Sequence, residues 1–277
     1  MKFTKMHGIG NDYVYVDCFS QKPPADPAAL SMVISRPHTG VGSDGLILIE
    51  PCEGADARMR IFNKDGSEGE MCGNGIRCVG KYLYDSGIAP KPVIRVMTRG
   101  GMKLLEMLTD GEKALGARVD MGEMRFDPKD IPIDAPGNEV HIEAEGIRAM
   151  FYCLNPGNPH AVTADIFPEG ALFERLGSAF ERHSVFPKRA NISFIRVEAP
   201  DLIRARIWER GSGATLACGS GATACLVAAY RMGLCGSRAR VILPGGELEI
   251  EYDETTRHAF MTGPAQTVFT GDWPDEA

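Results

Sequence analysis

The sequence predicts an α+β protein built from two pseudo-symmetric domains, each a mixed sheet wrapped round one core helix. Three observations predict this class: an internal repeat near half the chain length, several short strand-like segments, and two apolar helix-like segments that each end at a glycine. Strands and helices do not alternate strictly, which argues against a parallel α/β sheet. A chain of 277 residues is long enough for two domains of ordinary size.

The repeat is clearest around two cysteines. The segment RIFNKDGSEGEMCGNG at residues 60–75 aligns without a gap to RIWERGSGATLACGSG at residues 206–221, so that Cys72 matches Cys218. Two upstream pairs keep the same order at nearly the same offset: GNDYVYVD with GNPHAVTAD, and LILIE with FIRVE. Three matching segments in the same order predict two similar halves.

The remaining elements follow from local patterns. The segments YVYVDCF, LILIE, MRIFN and KLLEML are rich in β-branched and aromatic residues between turn signals, which predicts strands. GIRCVGKYLYDSG and GATACLVAAYRMGL predict helices that stop at Gly87 and Gly233. The second helix is apolar on nearly every face and is expected to be buried. The polar, proline-rich stretch after Val119 is the expected join, between domains of residues 1–119 and 120–263.

Composition and charge restrict the function. A hydrophobic content of 44% and a charged content of 24% are typical of a soluble globular protein. The net charge of −7 leaves no basic excess to replace phosphate counterions, so no nucleic-acid partner is expected. No leader-like start and no run of about 18 apolar residues is visible, so we expect no membrane association and a cytoplasmic location.

The eight cysteines and one glycine-rich stretch do not indicate a disulfide framework, a metal site or a nucleotide site. Free thiols are expected in a long chain without an export signal. No C-x2-C pair stands near a histidine pair, so no metal site is predicted. GVGSDG at residues 40–45 matches the letters of a dinucleotide fingerprint, but a strand-like segment follows it where a helix is needed. No nucleotide site is predicted there.

Cys72 and Cys218 each stand directly before a glycine at the start of a predicted helix. The first N–H groups of a helix lack partners and carry positive partial charge, so the pKa of such a cysteine is expected to fall. The same N–H groups can bind a carboxylate, and the glycines let a ligand approach closely. Two such motifs could face each other across a cleft, one as base and one as acid. This pattern predicts cofactor-independent inversion of an amino-acid carbon, with two structural cysteines as the alternative.

With these motifs the chain closely resembles the diaminopimelate epimerase family over essentially its whole length. The motifs are KMHGIGNDYV, FNKDGSEGEMCGNGIRC, GNPHAV, RANISF and WERGSGATLACGSGATA, in this order. The resemblance implies epimerisation of LL- to meso-diaminopimelate without pyridoxal phosphate (PLP) or any other cofactor, on the route to lysine and peptidoglycan. It also implies two pseudo-symmetric halves, a final segment from about residue 264 to 277 that crosses back to the first half, and a homodimer.

The resemblance also assigns roles by motif. Cys72 and Cys218 match the acid/base pair. The positions that match the carboxylate cradle at the helix starts are Gly73, Asn74, Gly219 and Ser220. The positions that match further substrate contacts are Asn11, Asn63, Asn158, Asn191, Glu209 and Arg210. His160 and Glu209 match positions thought to tune the pKa of the cysteine pair.

The chemistry of the residues agrees with a substrate that is zwitterionic at its distal end. Arg210 offers a bidentate fork for a carboxylate, and Glu209 offers an acceptor for an ammonium group. Asn63 and Glu209 each stand nine residues before their cysteine, so the repeat has diverged where the two substrate ends differ. Gly45 and Ala214 depart from the glutamine and glutamate of many relatives, which leaves substrate affinity open.

Three other functions remain open on the sequence. The nearest is a histidine-type racemase on the same scaffold. A proline-type racemase also uses two cysteines, but it would leave Glu209 and Arg210 unused. A thiol redox or binding protein, with a reversible bond between Cys72 and Cys218, is the alternative from another class.

Overall fold

A computed structural model describes residues 1–274 and divides them into two compact units. The first unit is Met1–Val119 together with residues 262–274, and the second is Asp120–Met261; residues 275–277, the end of the predicted crossing segment, lie outside the described residues. The described residues form 18 strands and four α-helices, which confirms the predicted α+β class. No helix in this part of the chain is long and apolar enough to cross a membrane.

The elements up to Glu123 are the strands β1 (Lys2–Gly8), β2 (Asn11–Asp17), β3 (Gly45–Glu50), β4 (Ala57–Asn63), β5 (Glu68–Gly69), β6 (Val93–Thr98), β7 (Gly101–Thr109) and β8 (Ala114–Glu123), with the helices α1 (Pro27–Ile34) and α2 (Gly73–Asp85). The later strands are β9 (Glu139–Ala144), β10 (Ile147–Leu154), β11 (His160–Thr163), β12 (Asn191–Ala199), β13 (Leu202–Glu209), β14 (Gly213–Ala214), β15 (Arg238–Leu243), β16 (Gly246–Asp253), β17 (His258–Pro264) and β18 (Gln266–Asp272). The later helices are α3 (Gly170–Glu181) and α4 (Gly219–Arg231).

Each unit contains the same order of strand pairings. In the first unit, β1 pairs antiparallel with β2, β2 parallel with β3, β3 antiparallel with β4, β4 parallel with β6, and β6 antiparallel with β7. In the second unit, β10, β11, β12, β13, β15 and β16 follow the same sequence of orientations. The repeat predicted from the sequence is therefore confirmed at the level of topology.

The predicted strands and helices are present. YVYVDCF lies largely in β2, LILIE in β3, MRIFN in β4 and KLLEML in β7. Helices α2 and α4 end just before Gly87 and Gly233, whose φ angles of 78° and 73° are easily adopted by glycine. Ten of the 13 residues of α4 are buried, as its apolar composition predicts.

In each unit the strand arrangement brings chemically useful residues to one edge. Because β2 and β3 run parallel and β4 returns antiparallel, Asn11 at the start of β2 and Asn63 at the end of β4 lie at the same edge. The same arrangement in the second unit places His160, Asn191 and Glu209 at the corresponding ends of β11, β12 and β13.

Each unit has its own apolar core behind that edge. The first is centred on Val14, Val16, Leu46, Leu48 and Phe62. The second is rich in aromatic residues, including Phe151, Phe173, Phe180 and Phe194. Close packing of these side chains fixes the strand ends, and thereby the polar residues that they carry.

Candidate active site

Cys72 and Cys218 are the N-cap residues of α2 and α4, with nearly identical backbone angles. Each sulfur accepts a hydrogen bond from the N–H group three residues on, from Gly75 at 3.3 Å and from Gly221 at 3.4 Å. A side-chain acceptor at this position satisfies one of the unpaired N–H groups of the first turn. The prediction that both cysteines begin a helix is confirmed.

The second glycine of each motif has a packing role that the sequence did not indicate. A Cβ atom at Gly75 would lie 2.7 Å from Ile47 Cδ1, and one at Gly221 would lie 2.5 Å from Ile207 Cδ1. Both distances are too short for real contacts, so a larger residue would require the isoleucine side chain or the helix to shift. These two glycines therefore hold each helix start close to its own sheet.

Asn11 and Asn74 lie next to Cys72. The Cys72 thiol donates to Asn11 Oδ1 at 3.3 Å, and Asn74 Nδ2 donates to the same oxygen at 3.3 Å. Asn11 Nδ2 donates to Asp44 Oδ2 at 2.7 Å. The structure thus brings two predicted site residues together with the cysteine.

Arg77 is a further residue at this helix start that the sequence reasoning missed. It is fully buried, and its guanidinium donates to the Gly73 carbonyl at 3.1 Å and to Asn74 Oδ1 at 3.0 Å. The matching residue of the repeat, Thr223, donates to the Gly219 carbonyl at 3.0 Å. Arg77 and Thr223 are separated by the same number of residues as Cys72 and Cys218. This repeat spacing was the signal that could have identified both residues.

Tyr13 is a second residue near Cys72 that the sequence did not predict for the site. It is buried, and the pKa of its hydroxyl is raised well above the usual value, first by burial and then by the charge of Cys72. Tyr13 stands two residues after Asn11, as His160 stands two residues after Asn158, so the two rings occupy equivalent positions of the repeat.

Cys218 is more deeply buried than Cys72. The expectation that the helix start lowers the pKa of its thiol was wrong. The pKa of its thiol is raised well above the usual value, because burial and then the charge of Glu209 disfavour the thiolate. Ser220, at 3.5 Å from the sulfur, and the N–H of Gly221 oppose this shift without reversing it. The helix terminus alone does not make Cys218 acidic, because desolvation outweighs it.

His160 is completely buried beside the start of α4. Its Nε2 lies 2.9 Å from Asn158 Oδ1 and 3.1 Å from Ser220 Oγ, while its Nδ1 has no hydrogen-bond partner among the described residues. Burial, followed by the charge of Arg210, lowers the pKa of the imidazole to about 3. The ring is therefore neutral near pH 7, and its proton sits best on Nε2, facing the Asn158 oxygen.

Asn191 uses its amide within the protein. Its Nδ2 donates to the Pro159 carbonyl at 2.8 Å, and its Oδ1 accepts the backbone N–H of Arg210 at 2.9 Å. The buried amide thus ties the segment before His160 to the segment that carries Arg210.

The remaining predicted residues are more open. Glu209 accepts a hydrogen bond from Thr215 at 2.6 Å. The exposed Arg210 side chain donates to the Lys188 carbonyl at 3.3 Å. Asn63 Nδ2 donates to Ser67 Oγ in an exposed turn at 3.0 Å. Glu209 also acts on Cys218, since its charge helps to raise the pKa of that thiol after burial.

The two departures noted in the sequence have different settings. A Cβ atom at Gly45 would lie 2.1 Å from the Phe62 carbonyl oxygen, so this backbone admits only glycine there. Ala214 is exposed in the short strand β14, beside Trp208 of β13. Neither position contributes a side-chain contact to the cysteines.

All eight cysteines are free thiols. Within residues 1–274, no group of three or more histidine, cysteine, aspartate or glutamate side chains is placed to hold a metal ion.

Comparison with solved structures first defines the class of fold. The chain superimposes on a probable proline racemase from Agrobacterium radiobacter with a TM-score of 0.71 and 17% identity, over 99% of this chain and 93% of the other. A PhzF-family phenazine biosynthesis protein from Bacillus anthracis gives a TM-score of 0.68 at 14% identity, with 98% of both chains covered. The protein therefore has the fold shared by these racemase and PhzF-type proteins.

Sequence comparison then defines the family. Residues 3–126 and 152–268 match the family described as diaminopimelate epimerase. The chain is 47% identical over 279 residues to a diaminopimelate epimerase of Acetivibrio thermocellus, with 98% of both proteins covered. It is also 47% identical over 285 residues to one of Desulfovibrio desulfuricans, covering 99% of this chain and 98% of the relative. The chain belongs to the diaminopimelate epimerase family, which confirms the resemblance seen in its motifs.

Proposed function

We propose that this protein epimerises LL-diaminopimelate to meso-diaminopimelate without PLP, by a two-base mechanism that uses Cys72 and Cys218. The observation that carries the proposal is the repeated motif: each half of a chain of this family places a cysteine as the N-cap of its buried helix. A single activated cysteine would suit many reactions, whereas a matched pair suits an inversion of configuration.

In this mechanism one cysteine thiolate removes the α-proton and becomes a thiol. The electron pair left on carbon delocalises into the adjacent carboxylate. The thiol of the other cysteine then gives its proton to the opposite face of the carbon and becomes the thiolate. In the reverse direction the two cysteines exchange these roles, so proton and electrons balance without an added reagent.

The helix starts are the proposed site for the carboxylate at the reacting carbon. The N–H groups of the first turn, at Gly73 and Asn74 and at Gly219 and Ser220, carry positive partial charge. Charge that develops on the carboxylate as the proton leaves is stabilised by such fixed dipoles.

We assign the distal end of the substrate to the more open polar side chains. Arg210 is the proposed partner of the distal carboxylate, since its guanidinium can form two parallel hydrogen bonds. Glu209 and the amides of Asn11, Asn63 and Asn158 are the proposed partners of the ammonium groups. For Asn191 the contacts with Pro159 and Arg210 support a role in holding the Arg210 segment in place.

His160 and Glu209 are the proposed residues that set the protonation of the cysteines. Burial and then the charge of Glu209 raise the pKa of Cys218, so this cysteine rests as a thiol in the ligand-free enzyme. His160 is neutral near pH 7, so it can donate or accept a hydrogen bond without adding charge.

The test is uptake of deuterium by the substrate in D2O. We expect the wild-type protein to exchange the α-hydrogen of LL-diaminopimelate and to form the meso isomer. Cys72→Ala and Cys218→Ala should each lose epimerisation by at least about a thousandfold, since a two-base inversion needs both groups.

Matched cysteine variants serve as controls. Cys18→Ala, in the first unit, and Cys153→Ala, in the second, remove free thiols that lie outside the helix starts and should stay active. Full activity of Cys218→Ala would disprove the two-base assignment.

A comparison of LL-diaminopimelate with L-histidine and L-proline tests the substrate. We expect turnover of diaminopimelate alone, because the other two lack the distal amino-acid group that Arg210 and Glu209 would bind. Turnover of histidine in its place would favour the histidine-type racemase, and inactivity on all three would favour a thiol redox protein. An absorption band of a pyridoxal group in the pure protein would contradict the cofactor-free mechanism.

The homodimer and the cytoplasmic location expected from the family resemblance are part of this proposal. Exposed apolar side chains support the dimer, among them Leu104, Leu108, Leu115 and Val268. Large exposed apolar residues of this kind are typical of association surfaces when they are contiguous.

A further inference from the structure

The glycine-rich turn at residues 40–45 carries one side chain that the proposed chemistry leaves unused. Asp44 Oδ2 accepts hydrogen bonds from Asn11 Nδ2 at 2.7 Å and from the backbone N–H of Asp12 at 3.2 Å. Asn11 in turn contacts the sulfur of Cys72. Only one side chain therefore separates the turn from the cysteine.

A second charged group orients the same network from its other end. Guanidinium nitrogens only donate, so the Asn74 atom 3.0 Å from Arg77 Nη2 must be the amide oxygen. The NH2 group of Asn74 then points to Asn11, and the Asn11 atom it meets at 3.3 Å must be an oxygen.

Both ends require the same orientation of Asn11. A carboxylate only accepts, so Asp44 needs the Asn11 NH2 group on its side and leaves the oxygen on the other. A half-turn of the Asn11 amide would place oxygen against the carboxylate and nitrogen against the NH2 group of Asn74. Both hydrogen bonds would be lost, and two repulsive contacts would replace them.

The orientation of the Asn11 amide affects the protonation of Cys72. The Asn11 oxygen is held 3.3 Å from the sulfur, and only a protonated thiol can donate a hydrogen bond to it. A thiolate would face a lone pair, which disfavours the charged form. The helix terminus, the Gly75 N–H and the nearby Arg77 charge act in the opposite direction.

We propose that Asp44 is a positioning residue that locks the Asn11 amide and thereby keeps Cys72 as a thiol in the ligand-free protein. The catalytic meaning rests on the proposed function: Cys218 is likewise held as a thiol, so one of the two cysteines would release its proton before the reaction and the other would serve as the proton donor. The turn that resembles a nucleotide fingerprint would then serve the acid/base chemistry.

Other titratable or charged groups also face this region. On β2 and α2, the groups that influence or are influenced by the Cys72 charge are Tyr13, Tyr15, Arg77 and Cys78. Asp12 lies beside Asp44 and pairs with Lys5. The variants below leave all of these groups in place, so their contribution is the same in each comparison.

The experiment measures the pH dependence of Cys72 alkylation by iodoacetamide in the full-length, ligand-free protein. Mass spectrometry follows the tryptic peptide of residues 65–77, in which Cys72 is the sole cysteine. Asp44→Ala removes the acceptor for Asn11. Asp44→Asn removes the negative charge but retains an oxygen that can accept from Asn11 and from the Asp12 N–H.

We expect Asp44→Ala to lower the pH of half-maximal alkylation rate by about one unit, so that alkylation in the acidic range is about tenfold faster. Asp44→Asn should stay close to wild type. An unchanged profile in folded Asp44→Ala would overturn the proposal. Equal shifts in both variants would also overturn it, because the effect would then be one of charge and not of orientation.

Circular dichroism checks that each variant is folded. If Asp44→Ala does not fold, Asp44→Ser replaces it, because a serine side chain is too short to reach Asn11. The alkylation assay needs no turnover. Absence of epimerase activity in the wild-type protein would contradict the proposed function and would leave the Cys72 profile as a separate result.

Discussion

The two cysteines share a backbone geometry but meet different side chains. Cys72 is half-buried and faces amides oriented by Asp44 and Arg77, whereas Cys218 is buried and lies near the carboxylate of Glu209. Equal helix termini therefore do not give equal thiols, since desolvation and neighbouring charges differ between the halves.

His160 predicts a pH dependence of stability. Its pKa is lowered to about 3 in the folded protein, whereas a histidine in an unfolded chain titrates near pH ~6.5. Between these values the unfolded state binds more protons, so the free energy of unfolding falls as the pH drops below about 6.5. The contribution present at pH 7 is thus progressively lost on acidification.

We expect His160→Gln to reduce this loss, by about 2 kcal/mol between pH 7 and pH 5. Urea unfolding at both pH values measures it. The exposed His141 supplies the control, and His141→Gln should leave the pH dependence unchanged. An identical acid loss in wild type and His160→Gln would contradict the buried neutral state of the ring.

At the scale of the elements, each catalytic candidate depends on how closely its helix approaches its sheet. Gly75 and Gly221 allow α2 and α4 to pack against isoleucine side chains of β3 and β13. The same contact places the N-cap cysteine at the edge where the polar strand ends lie. Helix packing and site geometry are therefore coupled.

Gly221→Ala tests this packing. In an exposed helix interior the change from glycine to alanine usually stabilises, by about 1 kcal/mol. Here we expect a loss of about 1–3 kcal/mol, because the new Cβ atom would meet Ile207 Cδ1 at 2.5 Å. Denaturant unfolding measures the sign.

The double variant Gly221→Ala with Ile207→Val removes the clashing carbon. It should be more stable than the sum of the two single changes predicts, by at least about 0.5 kcal/mol. Strict additivity of the two changes would show that the contact does not limit the helix position.

At the scale of the whole molecule, the two units keep one topology and differ in the residues at corresponding positions. Tyr13 corresponds to His160, Asn63 to Glu209, and Arg77 to Thr223. The repeat preserves the strand topology and the N-cap cysteines, and it varies several residues close to them.

The proposed homodimer is tested by light scattering over a range of protein concentrations. We expect twice the mass of the chain at micromolar concentration, since large apolar residues such as Leu104 and Leu115 stay exposed in the single chain. Monomer at all concentrations would contradict it. The association should depend little on salt, because the burial of apolar surface drives it.

The sequence by itself determined the fold class, the repeat, the strand segments, and the helices that begin at Cys72 and Cys218. These features depend on local patterns: glycine stops, segments rich in β-branched and aromatic residues, and a motif that occurs twice. The family, and with it the set of candidate site residues, could likewise be predicted from short motifs that are each continuous in the chain.

Only the tertiary structure decided how those residues are charged and oriented. The high pKa of Cys218, the neutral state of His160 and the orientation of Asn11 depend on burial and on partners distant in sequence. Asp44 contacts Asn11 across 33 residues of chain, and no local pattern encodes that contact. Desolvation and hydrogen bonding act through space, so the chemistry of the site emerges only once the sheets bring these side chains together.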